Sequence, residues 1–182
     1  MTYKVSKTSL NDVLILEPQI FMDSRGFFFE SFNQNDFNTA IGQETLFVQD
    51  NHSKSKASVL RGLHYQIDKP QGKLVRVISG EVFDVVVDLR RSSPTFGKSL
   101  GIYLSSENKM QLWIPPGFAH GFYTIGSNCE FLYKTTDYWS QGGERTLLWN
   151  DPDLNISWPI SDSPSIAPKD QVGINFKDCE YF

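Results

Sequence analysis

Short apolar segments with a two-residue alternation cover most of the chain. They are rich in β-branched and aromatic residues, and they end at Gly, Pro, Asn, Asp or Ser, which is typical of strands separated by turns. Ser79-Gly80 predicts a hairpin turn between two of these segments. The pattern predicts strands at residues 13–16, 27–32, 46–49, 58–66, 73–78, 81–89, 98–104, 111–114, 118–125 and 129–138.

Only two segments predict helices. Residues 35–41 follow Asn or Asp capping residues and end at Gly42, and a short helix is expected after Pro168. Many strands at this spacing with few helices predict an all-β fold, either a sandwich, a jelly roll or a barrel. Since no repeat or low-complexity linker interrupts the pattern, we expect one domain over residues 1–182.

The composition excludes several classes of protein. The chain has 182 residues, 40% of them hydrophobic, with a net charge of −4 and no extended basic run, which argues against nucleic-acid binding. No apolar segment reaches the roughly 20 residues of a membrane span, and no signal peptide is recognisable. Cys129 and Cys179 form no C-x-x-C pair, so we expect reduced thiols in a cytoplasmic protein.

Strand parity singles out Lys73 as an unusual charged residue. It shares a strand face with Val75 and Val77, so its side chain is predicted either to point into a barrel or to reach solvent from the strand end.

His64 lies in an apolar strand, three residues after Arg61. It is either a core histidine bound to a backbone carbonyl or a base beside a fixed cation. Regular alternation puts the two side chains on opposite faces, so a shared pocket requires a bulge or bend at Gly62.

His120 follows a Pro115-Pro116-Gly117 turn, and this segment resembles one half of the cupin metal motif. The other half is missing, because Gln66 stands where a second histidine would follow His64. With His52 the one remaining histidine, we predict a barrel without a metal ion.

Other chemically interesting residues are ordinary when taken alone. Tyr133 is most simply a core aromatic residue with a hydrogen-bonded hydroxyl, and Arg25 and Glu30 are most simply solvent-facing charges.

Taken together, however, these segments resemble the dTDP-4-dehydrorhamnose 3,5-epimerases, a jelly-roll family of the cupin superfamily. The resemblance covers nearly the whole chain in order. Its segments are residues 23–26, 49–53, 60–64, 71–75, 83–85, 88–90, 93–97, 107–108, 117–122, 133–134, 149–151 and 169–170. It implies a double-stranded β-helix jelly roll, a cupin-like barrel with a few short helices.

The resemblance also implies a chemistry. The substrate is a dTDP-linked 4-keto-6-deoxyhexose, and the protons at C3 and C5 are acidic because both carbons flank the ketone. His64 would be the base and Asp170 its orienting carboxylate. Lys73 would stabilise the enolate oxygen, and Tyr133 would reprotonate from the opposite face. No cofactor is required.

Substrate binding and assembly follow from the same resemblance. The family's binding contacts match Arg25, Glu30, Gln49, Asn51, Arg61, Lys73, His120, Glu144 and Lys169. Phe27 and Tyr138 are candidates for stacking on thymine. The strand carrying Arg25 and Glu30 is expected to cross to the partner subunit of a homodimer and complete its site.

Three alternatives to a 3,5-epimerase of dTDP-L-rhamnose and cell-surface polysaccharide synthesis remain open at this stage. A relative that inverts only C3 or only C5, in another deoxysugar pathway, can keep the same base and acid. A metal-dependent cupin and a non-catalytic sugar-nucleotide-binding module are the other two.

Overall fold

The computed structural model describes residues 3–161 and 163–182. Twelve strands are defined in this part of the chain. They are β1 (Lys4–Lys7), β2 (Leu14–Glu17), β3 (Phe21–Asp23), β4 (Gly26–Phe28), β5 (Gln49–Ser55), β6 (Val59–Gln66), β7 (Lys73–Asp88), β8 (Ser99–Ser105), β9 (Gln111–Ile114), β10 (Phe118–Thr135), β11 (Glu144–Thr146) and β12 (Ser165–Ile166). The helices are α1 (Gln34–Ile41), α2 (Pro168–Gln171) and a 3₁₀ turn (Phe176–Asp178).

The two long strands β7 and β10 form an antiparallel ribbon that folds over on itself. Their register shifts between Ile125 and Glu130. The rings of Phe122 and Phe131, nine positions apart on β10, lie only 4.5 Å from each other. A straight strand would separate them by about 30 Å. The two halves of the ribbon therefore face each other.

Each half of the ribbon belongs to a different layer. The start of β7 and the end of β10 pair with β9 and β5, and β2 and β1 extend this layer. The end of β7 and the start of β10 pair with β8 and β6, to which β11 and β12 add. Two facing layers joined by strands that run through both make a jelly roll. The predicted all-β jelly roll with a few short helices is confirmed.

Apolar residues fill the space between the layers and also cover their outer faces. Between the layers lie residues such as Val75, Val86 and Phe118. Phe37 of α1 packs outside the first layer. Residues near the C-terminus, Phe176 among them, pack outside the second. Both faces of β7 are thus buried, which explains its long apolar sequence.

The predicted hairpin at Ser79-Gly80 is wrong. A hairpin would pair residues 73–78 with residues 81–89, but each of these segments pairs with β10 instead, as one continuous strand. Gly80 has a φ of 79°, and a Cβ there would lie 2.2 Å from the Asn128 carbonyl oxygen. The glycine therefore serves the close approach of the two strands at the bend.

Two predicted strands are misplaced. Residues 46–48 lie outside any strand, and β5 begins at Gln49. The pattern did not indicate β5 because its polar sequence carries no apolar alternation. Residues 27–32 contain a strand only as far as Phe28, in the separate β3–β4 hairpin.

Both predicted helices are confirmed. The Asn33 side chain accepts hydrogen bonds from the backbone of Asn35 and Asp36, and Gly42 ends α1 in the left-handed conformation. The second helix begins at Pro168. Among the described residues, no helix is long and apolar enough to span a membrane.

Candidate functional site

A cavity of about 690 Å³ opens between the two layers of the jelly roll. Both layers contribute polar side chains to it. Ten of the residues predicted for the site line this one cavity: Gln49, Asn51, Arg61, His64, Lys73, His120, Tyr133, Glu144, Lys169 and Asp170. The sequence-based set therefore converges on a single place.

Two predicted site residues, Arg25 and Glu30, are not part of the cavity lining within one chain. Arg25 lies in the turn of the β3–β4 hairpin, where its side chain is 89% exposed and pairs with Asp23 at 2.6 Å. The predicted stacking residue Phe27 is exposed on the same hairpin.

A bulge at Gly62 allows Arg61 and His64 to share the cavity, as predicted. On β10, His120 opposes His64 and Phe122 opposes Arg61, so three residue steps on β6 match two on β10. Gly62 has a φ of 109°, and a Cβ there would lie 2.7 Å from the Gly121 Cα. The extra residue turns both side chains to the same side.

His64 and Asp170 form a close pair at the cavity wall. His64 Nε2 lies 2.7 Å from Asp170 Oδ1, and the backbone N–H of Gly62 donates to Oδ2 at 3.1 Å. Burial raises the pKa of Asp170, but the hydrogen bonds from His64 and Gly62, together with Lys169, outweigh it and hold the pKa below its usual value. Asp170 is thus ionised and accepts a hydrogen bond from Nε2 of His64. Nδ1 is then the ring nitrogen that is not bound to this carboxylate.

Lys73 points inward, as the first of the two interpretations of its strand position predicted. The residue is 8% exposed, and its Nζ donates to the His64 carbonyl oxygen at 3.2 Å. Burial lowers the pKa of Lys73 to about 8, against the attraction of Asp84 and Glu144. The ammonium group is therefore held next to the histidine with little water around it.

His120 also has a carboxylate partner, which the sequence reasoning missed. Its Nε2 lies 2.9 and 3.1 Å from the two oxygens of Asp84, which is fully buried. Burial raises the pKa of Asp84, and His120 and Lys73 oppose the shift. The available signal was the position of Asp84 between two apolar residues, Phe83 and Val85.

Tyr133 approaches the cavity from the layer opposite His64. It lies on the second half of β10, paired with Val75 and Asn51, whereas His64 lies on β6 in the other layer. Burial, with a contribution from Glu144, raises the pKa of Tyr133 above its usual value, and Arg61 opposes this. The phenol therefore stays protonated at neutral pH and is able to donate.

Further polar groups line the cavity. Gln49 Nε2 donates to Asn51 Oδ1 at 2.9 Å, and the buried Asn51 Nδ2 has no partner within the part of the chain that the structure describes. Lys169 Nζ lies 3.2 Å from Glu144 Oε1. These groups offer both hydrogen-bond donors and a cation to a polar ligand.

Other lining residues also escaped the sequence reasoning. Gln66 accepts from the Ser140 backbone N–H at 2.8 Å and so supports the loop that carries Trp139, another lining residue. Phe122 and Phe131 form an apolar part of the wall. Apolar side chains in strands give no sequence signal that separates a cavity wall from the core.

His52 lies outside the cavity and pairs with Glu130 at 3.2 Å on the surface. Within residues 3–161 and 163–182, no group of three His, Cys, Asp or Glu side chains is arranged to hold a metal ion.

Comparison with known proteins identifies a family. The family model described as dTDP-4-dehydrorhamnose 3,5-epimerase matches residues 7–178. An enzyme of that name from Pseudomonas aeruginosa is 56% identical over 179 residues, 98% of this chain and 99% of that protein. The one from Salmonella typhimurium is 59% identical over 167 residues, 91% of both chains. The solved dTDP-6-deoxy-D-glucose-3,5-epimerase of Legionella pneumophila, in complex with dTDP-4-keto-L-rhamnose, is similar with a TM-score of 0.95 and 46% identity, covering 98% of this chain and 95% of that one.

Proposed function

Because the chain belongs to the dTDP-4-dehydrorhamnose 3,5-epimerase family, we propose that it inverts C3 and C5 of dTDP-4-dehydro-6-deoxy-D-glucose. The product is dTDP-4-dehydro-L-rhamnose, a precursor in dTDP-L-rhamnose biosynthesis. One observation carries the proposal: the His64–Asp170 pair and Tyr133 lie in the same cavity on opposite layers of the fold.

Proton removal is the first step of the proposed reaction. The 4-keto group makes the protons at C3 and C5 acidic, since each carbanion is delocalised onto the ketone oxygen. With its Nε2–H donated to ionised Asp170, His64 presents the Nδ1 lone pair as the base. Asp170 then stabilises the imidazolium that forms.

Lys73 is the proposed stabiliser of the enolate oxygen. Its ammonium group is buried beside His64, where the attraction between opposite charges is stronger than in water. The positive charge favours the enolate over the neutral ketone, so the interaction strengthens as the reaction proceeds.

Tyr133 is the proposed acid on the other face of the sugar ring. Inversion requires that the proton return from the side opposite the base. The raised pKa of Tyr133 supports this role, because the hydroxyl keeps its proton until an enolate carbon is there to take it.

The remaining polar groups are proposed to bind the sugar nucleotide. Arg61 and Lys169 supply positive charge for the diphosphate, for which Lys169 would exchange its present partner Glu144. Lys73 also contacts the sugar, and further contacts are proposed for Gln49, Asn51, His120 and Glu144. The Asn51 Nδ2, which has no hydrogen-bond partner among the described residues, supports a polar ligand at that position.

We propose further that the active form is a homodimer whose sites are completed in trans. Arg25 and Glu30 do not line the cavity of their own chain, and the β3–β4 hairpin exposes Phe21, Met22 and Phe28. Such exposed apolar side chains are typical of an interface. Within this proposal, Arg25 reaches the diphosphate in the partner's cavity.

Mixed dimers test the completion in trans. Arg25→Ala and His64→Ala should each be nearly inactive, but in a refolded mixture about a quarter of the sites receive both native residues. Recovery of activity on mixing is the expected result, and a mixture as inactive as its components excludes trans completion.

Deuterium incorporation tests the central proposal. Incubation of the keto-sugar nucleotide with the enzyme in D₂O should label C3 and C5, with the L-rhamno product identified by NMR. Label at one carbon alone would indicate a 3-only or 5-only epimerase. Binding without exchange, unchanged in His64→Ala, would indicate a non-catalytic module.

The reaction as proposed needs no redox cofactor, because the substrate and product have the same oxidation state. Activity that disappears with a chelator and returns with one metal would contradict our expectation of a metal-independent enzyme. A cytoplasmic location is also proposed, in keeping with the free thiols of Cys129 and Cys179; cell fractionation tests it.

A further inference from the structure

Two stacked phenylalanines form an apolar floor in the cavity. Phe122 comes from one layer of the fold and Phe131 from the other, and their rings lie 4.5 Å apart with an angle of 21° between them. Both residues line the cavity and are otherwise buried, with 5% and 1% exposure. The floor is thus a rigid surface held by both layers.

The floor lies among the polar groups to which the reaction is assigned. The ring centroid of Phe131 is 6.2 Å from that of Tyr133 and 6.2 Å from that of His120. The Cα of Phe122 is directly opposite that of Arg61 in the sheet. A ligand held between His64 and Tyr133 therefore meets an apolar surface beside its reacting carbons.

The proposed sugar has one apolar substituent, the methyl group C6. This methyl is attached to C5, one of the two carbons that must lie within reach of both His64 and Tyr133. We infer that the Phe122–Phe131 floor receives the C6 methyl and selects 6-deoxy sugars over their 6-hydroxy analogues. This inference rests on the proposed function and adds the substrate feature that these two residues recognise.

The chemistry of the floor determines how strong the selection is. Phenylalanine rings offer no ordinary hydrogen-bond donor or acceptor, so a hydroxymethyl group placed there loses its bonds to water. Apolar pockets reject a substrate with an added hydroxyl by at most about 100-fold. We therefore expect kcat/KM for the 6-deoxy substrate to exceed that for the 6-hydroxy analogue by about 10- to 100-fold.

The experiment compares kcat/KM for dTDP-4-dehydro-6-deoxyglucose and for the analogue with a C6 hydroxyl, in the wild type and in variants. Phe122→Asn places hydrogen-bonding groups on the floor and should lower the ratio of the two values several-fold. Phe122→Tyr, which keeps the ring, makes the same test if the asparagine variant does not fold. Phe122→Leu stays apolar and should keep selection for the 6-deoxy sugar. Val59→Thr, a similar polar change at a half-buried lining position, should leave the ratio unchanged.

The ratio separates recognition from general damage, since a misfolded fraction lowers both values equally. A wild-type ratio near one would overturn the methyl assignment even though the epimerase activity stands. An equal change in Phe122→Asn and Val59→Thr would overturn it as well. If neither sugar undergoes exchange in the wild type, the proposed function itself fails.

Discussion

Replacing Asp170 with Asn should disable the proposed base, His64, without disturbing the fold. The Gly62 N–H donates to Oδ2 of Asp170, so it requires an acceptor there, and the amide oxygen of the asparagine is the one group able to meet this need. The amide NH₂ then faces His64 Nε2, which must accept rather than donate. This fixes the proton on Nδ1, the nitrogen that has to take the substrate proton.

The size of the effect follows from this change of tautomer. An asparagine in place of the aspartate of a Ser-His-Asp triad lowers kcat by about 10⁴, for the same reason. That factor corresponds to about 5.4 kcal/mol of barrier. Stability should change little, because the asparagine still satisfies the buried Gly62 N–H.

Deuterium exchange at C3 and C5, followed by NMR, measures the proton abstraction directly. Asp170→Asn should exchange about 10⁴-fold more slowly than the wild type at both carbons, with a similar melting temperature. Asp170→Ala is the structural contrast: it leaves the Gly62 N–H unsatisfied and should also lose about 1–3 kcal/mol of stability. Exchange in Asp170→Asn within tenfold of the wild type would refute the assignment of His64 and Asp170.

Three further predictions concern other parts of the site. The Lys73 ammonium, with a pKa of about 8, is charged below that pH, so kcat/KM should fall as pH rises through about 8. Lys73→Met should be slower by about 10²–10³ and lack this alkaline decline, whereas a pH profile in Lys73→Met like that of the wild type would contradict the enolate role. Tyr133→Phe should impair epimerisation by about 10² or more but keep exchange through His64, and equal loss of both in NMR assays would argue against an acid on the opposite face. Gly121→Ala places a Cβ 2.4 Å from the Arg61 carbonyl oxygen and should cost about 1–3 kcal/mol in denaturant unfolding, whereas Gly142→Ala, with open space, should not.

The apolar segments rich in β-branched and aromatic residues predicted the class of fold, because both faces of β7 are buried and favour such residues. The pattern failed where local sequence has two structural solutions. Ser79-Gly80 suits a hairpin turn, and it suits equally a bend in a strand that continues, which is what β7 adopts. The choice depends on pairing with β10, more than 30 residues away for most positions, and no local pattern contains that information.

The site was less predictable than the fold from the residues alone. The bulge at Gly62 was predictable on the condition that Arg61 and His64 share a cavity, and the structure confirms both. Asp170, by contrast, lies 106 positions from His64 and joins it only through tertiary packing. Only the family resemblance indicated this pairing. Asp84 carried a local signal, an acid between two apolar neighbours in a strand, but nothing in the sequence identified His120 as its partner.

The folded ribbon explains why the proposed base and the proposed acid lie on opposite sides of the cavity. A flat sheet carries side chains on two faces, and groups on opposite faces of it do not share a cavity. Here the bend near Gly80 turns the inner face of one half of β10 toward the inner face of the other half. His120 and Tyr133, 13 positions apart on one strand, thereby line one cavity from two sides. The bend that the sequence analysis interpreted as a hairpin is thus the feature that makes two-sided proton transfer geometrically available. This two-sided arrangement is tested by the predicted contrast between His64, which we expect to govern exchange, and Tyr133, which we expect to govern inversion.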